Sequence, residues 1–453
     1  MSAEAAQATG PEPLRAAPPT AEDAPLRIAL LSYKGNPFCG GQGVYVRHLS
    51  RELARLGHHV EVLGAQPYPV LDDTTGPAFP AGGSVRLTEL ASLDLYRQPD
   101  PFRTPKAREL RDWIDVLEVG TMWAGRFPEP LTFSLRARRH LAARPGAFDV
   151  VHDNQTLGYG ILGLPRAGFP LVTTVHHPIT VDRKLELDAA ADRQRRAAVR
   201  RWYGFTTMQK RVAKRLPSVL TVSGSSRREI VDHLGVAPRR VHVVHIGADT
   251  ALFSPDPAVP QVPGRIVTTS SADVPLKGLS YLVEAVAKLR TEQPAAHLVV
   301  VGKQPTAGPV AAAIERYGLA DAVRFVKGIS DAELVDLVRG AQVACVPSLY
   351  EGFSLPAAEA MATGTPLVAT TGGAIPEVAG PDGETCLAVP PGDAGALAQA
   401  LGRLLADPAL RTRLGAAGRE RVLRHFTWER AARGTVEHYR EAIRVQAAAA
   451  RRR

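Results

Sequence analysis

Two carboxylates with seven residues between them, Glu351 and Glu359, stand in the segment Ser348-Leu349-Tyr350-Glu351-Gly352-Phe353-Ser354-Leu355-Pro356-Ala357-Ala358-Glu359-Ala360-Met361. The segment follows the apolar run Val343-Ala344-Cys345-Val346, so it begins at the C-terminal end of an expected strand. Open parallel sheets bind ligands at such ends. Ser354 is expected to cap a helix there, and Pro356 is tolerated in a first helical turn. The free amides of that turn, with the helix dipole, favour a phosphate. Glu351 then lies on the loop and Glu359 about one turn into the helix, a pair of acceptors for sugar and ribose hydroxyls. Spacing alone fits a surface loop and a solvated helix equally well. Lys277, in Asp273-Val274-Pro275-Leu276-Lys277-Gly278, offers a cation after another strand, or simply a solvated loop lysine. Gly40-Gly41-Gln42-Gly43 follows the first strand and permits close backbone approach to a ligand, although a bare Gly-rich loop is as often a tight turn. His176 and His177 end one strand and Ser223 ends another, where a cleft would open. No third ligand joins the two histidines to make a metal site.

These residues need a scaffold of parallel strands, and the chain supplies one twice. Arg27-Ile28-Ala29-Leu30-Leu31, Val60-Glu61-Val62-Leu63, Asp149-Val150-Val151-His152, Leu171-Val172-Thr173-Thr174-Val175 and Val219-Leu220-Thr221-Val222 are short β-branched runs separated by helical stretches. Near-continuous apolar strands alternating with helices predict a parallel sheet covered on both faces. A Pro-rich break at 256–264 precedes a second series at 266–269, 297–302, 323–326, 343–346 and 367–369. The expected fold class is α/β, with two Rossmann-like domains facing across a cleft. The expected division is a disordered leader at 1–25, an N-terminal Rossmann-like domain at 26–255, a C-terminal Rossmann-like domain at 256–426, and a C-terminal helix with a basic tail at 427–453. Residues 68–148 are rich in Pro and Gly and read as an irregular insertion.

The string Glu-Gly-Phe-x-x-Pro-x-x-Glu-Ala at 351–360 fixes six residue types in ten positions. It closely resembles the signature of glycosyltransferase family 4, whose members have the GT-B architecture. Thr371-Gly372-Gly373-Ala374-Ile375-Pro376-Glu377 is similar to the family's Gly-Gly-x-x-x-Glu loop, and 244–253 to its interdomain segment, with His245 and Ile246 where Asn or Pro is commoner. The resemblance runs from about 26 to 440, leaving 68–148 unmatched. It implies retaining transfer of a hexosyl group from a nucleoside-diphosphate sugar to an acceptor hydroxyl on a glycan, lipid or small molecule. It implies that the domain at 26–255 is acceptor-binding and the domain at 256–426 nucleotide-sugar-binding. It implies no metal and no cofactor beyond the donor co-substrate. Glu351, Lys277 and His176 take the catalytic roles. Glu359 takes the ribose, and Gly352, Phe353, Ser354, Leu355, Gly41, Gly43, Ser223 and Gly373 line the donor. Ala272 departs from the pattern, since the family usually has an Arg there, and Arg265, Lys303 and Lys327 are candidates for the missing phosphate clamp. A degenerate homologue acting as a carbohydrate-binding scaffold is the alternative.

The net charge is +10. A basic balance suits anionic substrates, nucleic acid or an anionic membrane surface, but no nucleic-acid-binding module is present. Residues 182–216 hold eleven Lys or Arg against four acidic residues. They read either as a solvated charged face or as a peripheral contact with anionic lipid. Three scattered cysteines, Cys39, Cys345 and Cys386, make no disulfide framework. With no secretory signal and no spanning run, the expected location is the cytoplasm or the inner face of the membrane.

Overall fold

The computed structural model describes residues 24–35, 41–76, 79, 82–97, 99–270 and 274–452. Almost all of the expected leader lies outside these residues, as do Cys39, Gly40, Ala272 and Asp273.

The N-terminal sheet contains β1 (Arg27–Ser32), β2 (His59–Gly64), β3 (Ser84–Glu89), β4 (Val150–Asn154), β5 (Leu171–Thr174), β6 (Val219–Thr221) and β7 (Val241–Val243). All pairings are parallel, in the order β3-β2-β1-β4-β5-β6-β7. The second sheet contains β8 (Val262–Thr269), β9 (His297–Val301), β10 (Val323–Val326), β11 (Ala341–Val346), β12 (Leu367–Thr370) and β13 (Leu387–Val389), in the order β10-β9-β8-β11-β12-β13. The strand order reverses between β1 and β4 in one sheet and between β8 and β11 in the other. Loops at such switch points part from each other and leave a crevice beyond the strand ends. The Lys277 loop follows β8 and the Glu351 loop follows β11, so topology alone sets them side by side.

Residues 68–148 are more regular than their composition suggests. They hold β3 and two helices, Trp113–Trp123 and Glu129–Ala142. β3 is an edge strand with no residue fully buried, and so lacks the apolar run that marks a central strand. The two helices are joined by a buried ion network in which Arg136 donates to Asp115 at 2.6 Å and also to Glu118. Such a network is invisible to hydrophobic periodicity. β7 and β13, of three residues each, were likewise too short to read.

The final helix, Trp428–Arg451, lies on the N-terminal sheet. Trp428 stacks on His48 with ring centres 5.0 Å apart. The Tyr439 hydroxyl is 2.6 Å from His152 Nδ1, His152 Nε2 is 2.7 Å from Thr174 Oγ1, and Thr174 Oγ1 is 3.0 Å from the Tyr45 hydroxyl. All four residues are buried. Burial, with His176 beside it, pushes the His152 imidazole down to about 3, so the ring is neutral and has one donor and one acceptor nitrogen to satisfy. Tyr439→Phe keeps the shape but leaves one of them unpaired, at about 1–3 kcal/mol. Urea unfolding should show a lower midpoint with an unchanged slope; an unchanged midpoint would mean that the chain of polar groups contributes nothing to docking the helix.

Candidate active site

The Lys277 and Glu351 loops are stitched together by backbone before any side chain is considered. Leu349 N donates to the Leu276 carbonyl at 2.7 Å. Gly278 takes a left-handed φ of 63°, and a Cβ there would sit 2.1 Å from the Pro347 carbonyl oxygen, so only glycine fits. This closeness lets Lys277 Nζ reach Glu351 Oε1 at 2.7 Å, while Ser348 Oγ donates to the same oxygen at 2.7 Å. Gly373, with a φ of 62°, supports the pair from below. A Cβ there would meet the Glu351 carbonyl at 2.4 Å, and Ala374 N donates to that carbonyl at 2.9 Å. Gly373 thus backs the Glu351 main chain.

The helix Leu355–Ala362 begins where expected, but Ser354 does not cap it through its side chain. Its backbone is left-handed, with φ 94°, and its buried Oγ has no partner. The chain turns so sharply from loop to helix that the hydroxyl cannot swing back to the first-turn amides. Those amides therefore keep their capacity for a ligand. Leu355 is half-buried as the first helical residue. The Phe353 ring is buried between Phe426, at 5.7 Å, and His245, at 6.4 Å, so only its backbone can face a donor.

Glu359 is half-buried one turn into the helix. Burial, with the like charge of Asp331 adding to it, pushes its carboxyl from the usual 4.5 to about 7. On the opposite domain, His176 lies just beyond β5. Its Nε2 is 2.8 Å from Asn154 Oδ1, its backbone N donates to Gln155 Oε1 at 2.6 Å, and its ring meets Tyr45 edge-on at 4.7 Å. Burial first, then neighbouring His177, lowers the ring to about 3. It is a neutral imidazole whose Nε2–H donates to Asn154, which leaves Nδ1 as an acceptor. His177 differs: burial opposes its charge, but Asp182, 2.9 Å from Nε2, outweighs burial and raises it.

The two halves meet at Gly352. Its carbonyl accepts from Ser223 Oγ at 2.7 Å and Ser226 Oγ at 3.2 Å. A Cβ at Gly352 would lie 3.4 Å from the His176 carbonyl oxygen. Beside this contact the Glu377 carboxylate accepts from Gly224 N at 2.7 Å and Ser225 N at 2.8 Å. Ser223 therefore serves the domain contact rather than the donor directly. Its hydroxyl also accepts from Ser226 N at 2.9 Å, so its one proton is committed to Gly352 and only an acceptor lone pair is left. Sequence reasoning missed Asn154, Gln155 and Ser226; Glu377 was visible in the Gly-Gly loop but had no role. Gly41 opens the helix Gly41–Arg55 with open space where a Cβ would be, and Gly43 is buried in its first turn. Arg265 lies in the first half of β8, away from the ligand end, which rules it out as a phosphate clamp, whereas exposed Lys303 follows β9 at the ligand end. A separate cavity of 960 Å³, lined by Arg166, Arg215, His242 and His438 among others, includes none of the expected site residues.

Known proteins agree with this geometry. Residues 39–252 match the sequence model described as Glycosyltransferase Family 4, and residues 258–421 match Glycosyl transferases group 1. The chain is 54% identical over 418 residues to an MMP alpha-(1->4)-mannosyltransferase of Mycolicibacterium hassiacum, covering 92% of this chain and 98% of that protein. The chain belongs to glycosyltransferase family 4. It is also 30% identical to a D-inositol 3-phosphate glycosyltransferase of Kineococcus radiotolerans, over 93% of this chain and 97% of that one. Among solved structures, a sucrose-phosphate synthase from Thermosynechococcus elongatus superposes with a TM-score of 0.68 at 27% identity, covering 93% of this chain and 100% of that one. The two-sheet GT-B fold is the family's, and the protein is a glycosyltransferase. The scaffold alternative finds no support in these relatives, which are named as transferases and synthases.

The Glu359 carboxyl gives a test of the site's electrostatics. Folded, it holds its proton up to about pH 7; unfolded, it loses it near 4.5. Between those values the folded state binds more protons, so its contribution to stability falls as pH rises and is lost above the upper value. Glu359→Gln should flatten that slope in urea melts run from roughly pH 5 to pH 8. Parallel slopes in the two proteins would show that the carboxyl titrates normally.

Proposed function

We propose that the protein transfers mannose from a nucleoside-diphosphate mannose to the 4-hydroxyl of an α-linked mannoside. The observation that carries this reading is the 54% identity across 98% of the MMP alpha-(1->4)-mannosyltransferase. The site chemistry is compatible with it. Lys277 and the first-turn amides of the helix Leu355–Ala362 would meet the charge that develops on the departing diphosphate, electrostatic stabilisation that needs no metal ion. Glu351, released from Lys277 by the diphosphate, would accept sugar hydroxyls, and Glu359 those of the ribose. His176 Nδ1, an acceptor on a neutral ring, would hold a donor-sugar hydroxyl from the acceptor side. Exposed Lys303, one strand from Lys277, is the candidate second phosphate contact.

The assay is transfer from GDP-mannose, with UDP-glucose as the competing donor, to an α-(1→4)-linked manno-oligosaccharide, for wild type, Lys277→Ala and Glu351→Gln. Mannosyl transfer with a new α-(1→4) bond is expected, reduced about 100-fold or more in both variants. A wild-type enzyme that uses only UDP-glucose would overturn the mannose assignment while leaving the transferase intact.

Among the described residues no helix is long and apolar enough to cross a membrane. The finer reading proposed is peripheral contact with anionic lipid. Trp113, Val116 and Trp123 are exposed on one face of their helix. Arg193, Arg195, Arg196, Arg200 and Arg201, on the helix Arg193–Trp202, make no ion pair among the described residues. Exposed indoles beside unpaired cations suit a headgroup region. The protein should sediment with vesicles containing phosphatidylserine and be released as salt rises; failure to sediment at low salt would return both features to a solvated surface.

A further inference from the structure

Beyond the proposed donor residues, the N-terminal domain holds a cluster of polar atoms left without hydrogen-bond partners among the described residues. Glu129 is the first residue of the helix Glu129–Ala142, and its buried Oε2 has no hydrogen-bond partner. Gln42 Oε1 is likewise buried and unpartnered, as is Asp153 Oδ1, although the other oxygen of that carboxyl accepts from Leu157 N at 3.3 Å. Tyr33 lies among them: its hydroxyl bonds to Gln42 and feels the charges of Glu129 and Asp153. Exposed Lys34 follows, with its Nζ 4.7 Å over the Phe127 ring, near enough to act on Glu129 yet forming no ion pair with it. Phe127 in turn packs against Trp202 at 5.2 Å and Tyr96 at 5.4 Å. Buried polar atoms in native proteins nearly always find partners, so three orphan oxygens in one place call for hydrogen-bond donors.

Their position relative to the donor site is fixed by the sheet. Tyr33 and Lys34 follow β1, Asp153 is in β4, and His176 follows β5. β4 pairs with β5 and β1 lies one strand further, so Asp153 stands about 5 Å and Tyr33 and Lys34 about 10 Å from the β5 strand that His176 follows. The rim at Lys34 is thus placed for a part of the acceptor beyond the reacting sugar. The orphan atoms are acceptors, two of them on carboxyl groups, with one cation at the rim. Neutral sugar hydroxyls donate to such atoms, whereas a phosphate brings further acceptor oxygens and, once Glu129 and Asp153 ionise above about pH 7, meets them as like charges.

We propose that Glu129, with Lys34, Gln42 and Asp153, forms an acceptor subsite that selects a neutral glycan over a phosphorylated acceptor. The proposal rests on the reading above for the position of the donor, and Glu129 acts as a specificity-determining residue, not a catalytic one. Burial pushes the Glu129 carboxyl up to about 7, Lys34 opposes the shift, and Glu118 and Asp94 reinforce it. The other groups facing it are Tyr33 and Tyr96. Above that pH the ionised carboxylate is the stronger acceptor, so glycan affinity rises with pH through this value.

Calorimetric titration of the full chain, with and without GDP, tests this using α-(1→4)-mannotetraose and D-inositol 3-phosphate. Wild type should bind the tetrasaccharide in preference to the phosphate. Glu129→Gln and Lys34→Met should each weaken tetrasaccharide binding about tenfold or more, the value of a hydrogen bond to a charged group. Glu129→Gln should also flatten the pH dependence. GDP binding, measured separately, reports that the variants are folded. Unchanged tetrasaccharide affinity in Glu129→Gln, or a wild type that prefers the phosphate or binds neither compound, overturns the subsite. Failure to bind GDP counts instead against the donor reading, because the titrations without nucleotide still report on the subsite.

Discussion

The donor loop is held from the opposite domain. Ser223 and Ser226 donate to the Gly352 carbonyl, and Glu377 takes the Gly224 and Ser225 amides at the start of their helix. Four hydrogen bonds at one place join domains that are otherwise separate sheets. An anionic side chain on free helical amides is favoured by both hydrogen bonding and the helix dipole. The contact brings His176 beside Gly352, so the distance between donor sugar and acceptor domain depends on it. Any opening of the cleft must exchange these bonds for water, and because each is replaced rather than lost, the net cost of opening stays modest.

Within that frame, burial governs the charge of the site. His152 and His176 are held neutral, and Glu359 and Glu129 retain their protons to about 7. The pair Lys277–Glu351 is different: its members neutralise each other, with Ser348 as a third contact. A diphosphate competing for Lys277 therefore changes the state of Glu351 as well. On the proposed donor site, diphosphate binding and the freedom of Glu351 would be coupled through this one 2.7 Å contact.

The proposed acceptor subsite takes Glu129, with Phe127 and Tyr96 behind it, from 68–148, the region read as irregular although the family model spans it. Its order comes from charges that find partners only in three dimensions, such as Arg136 with Asp115 and Glu118. Such pairs leave no periodic trace in the chain.

The sequence by itself determined the two parallel sheets, because buried strands must be apolar along their length, and it marked the loop and helix that follow β11, because a strand end, glycines and a helix start occur together in a dense motif. It also placed Glu351, Glu359 and Lys277 at ligand-binding ends. Tertiary structure alone decided that Lys277 pairs with Glu351, that Ser223 serves the domain contact, that Phe353 turns into the interior and that Ser354 leaves its helix uncapped. It alone brought Glu129, from a segment that carries no motif legible in the sequence, beside Lys34, Gln42 and Asp153. Local pattern records which face of an element is buried; it does not record which distant residue that face will meet, and the acceptor side of this enzyme is made almost entirely of such meetings.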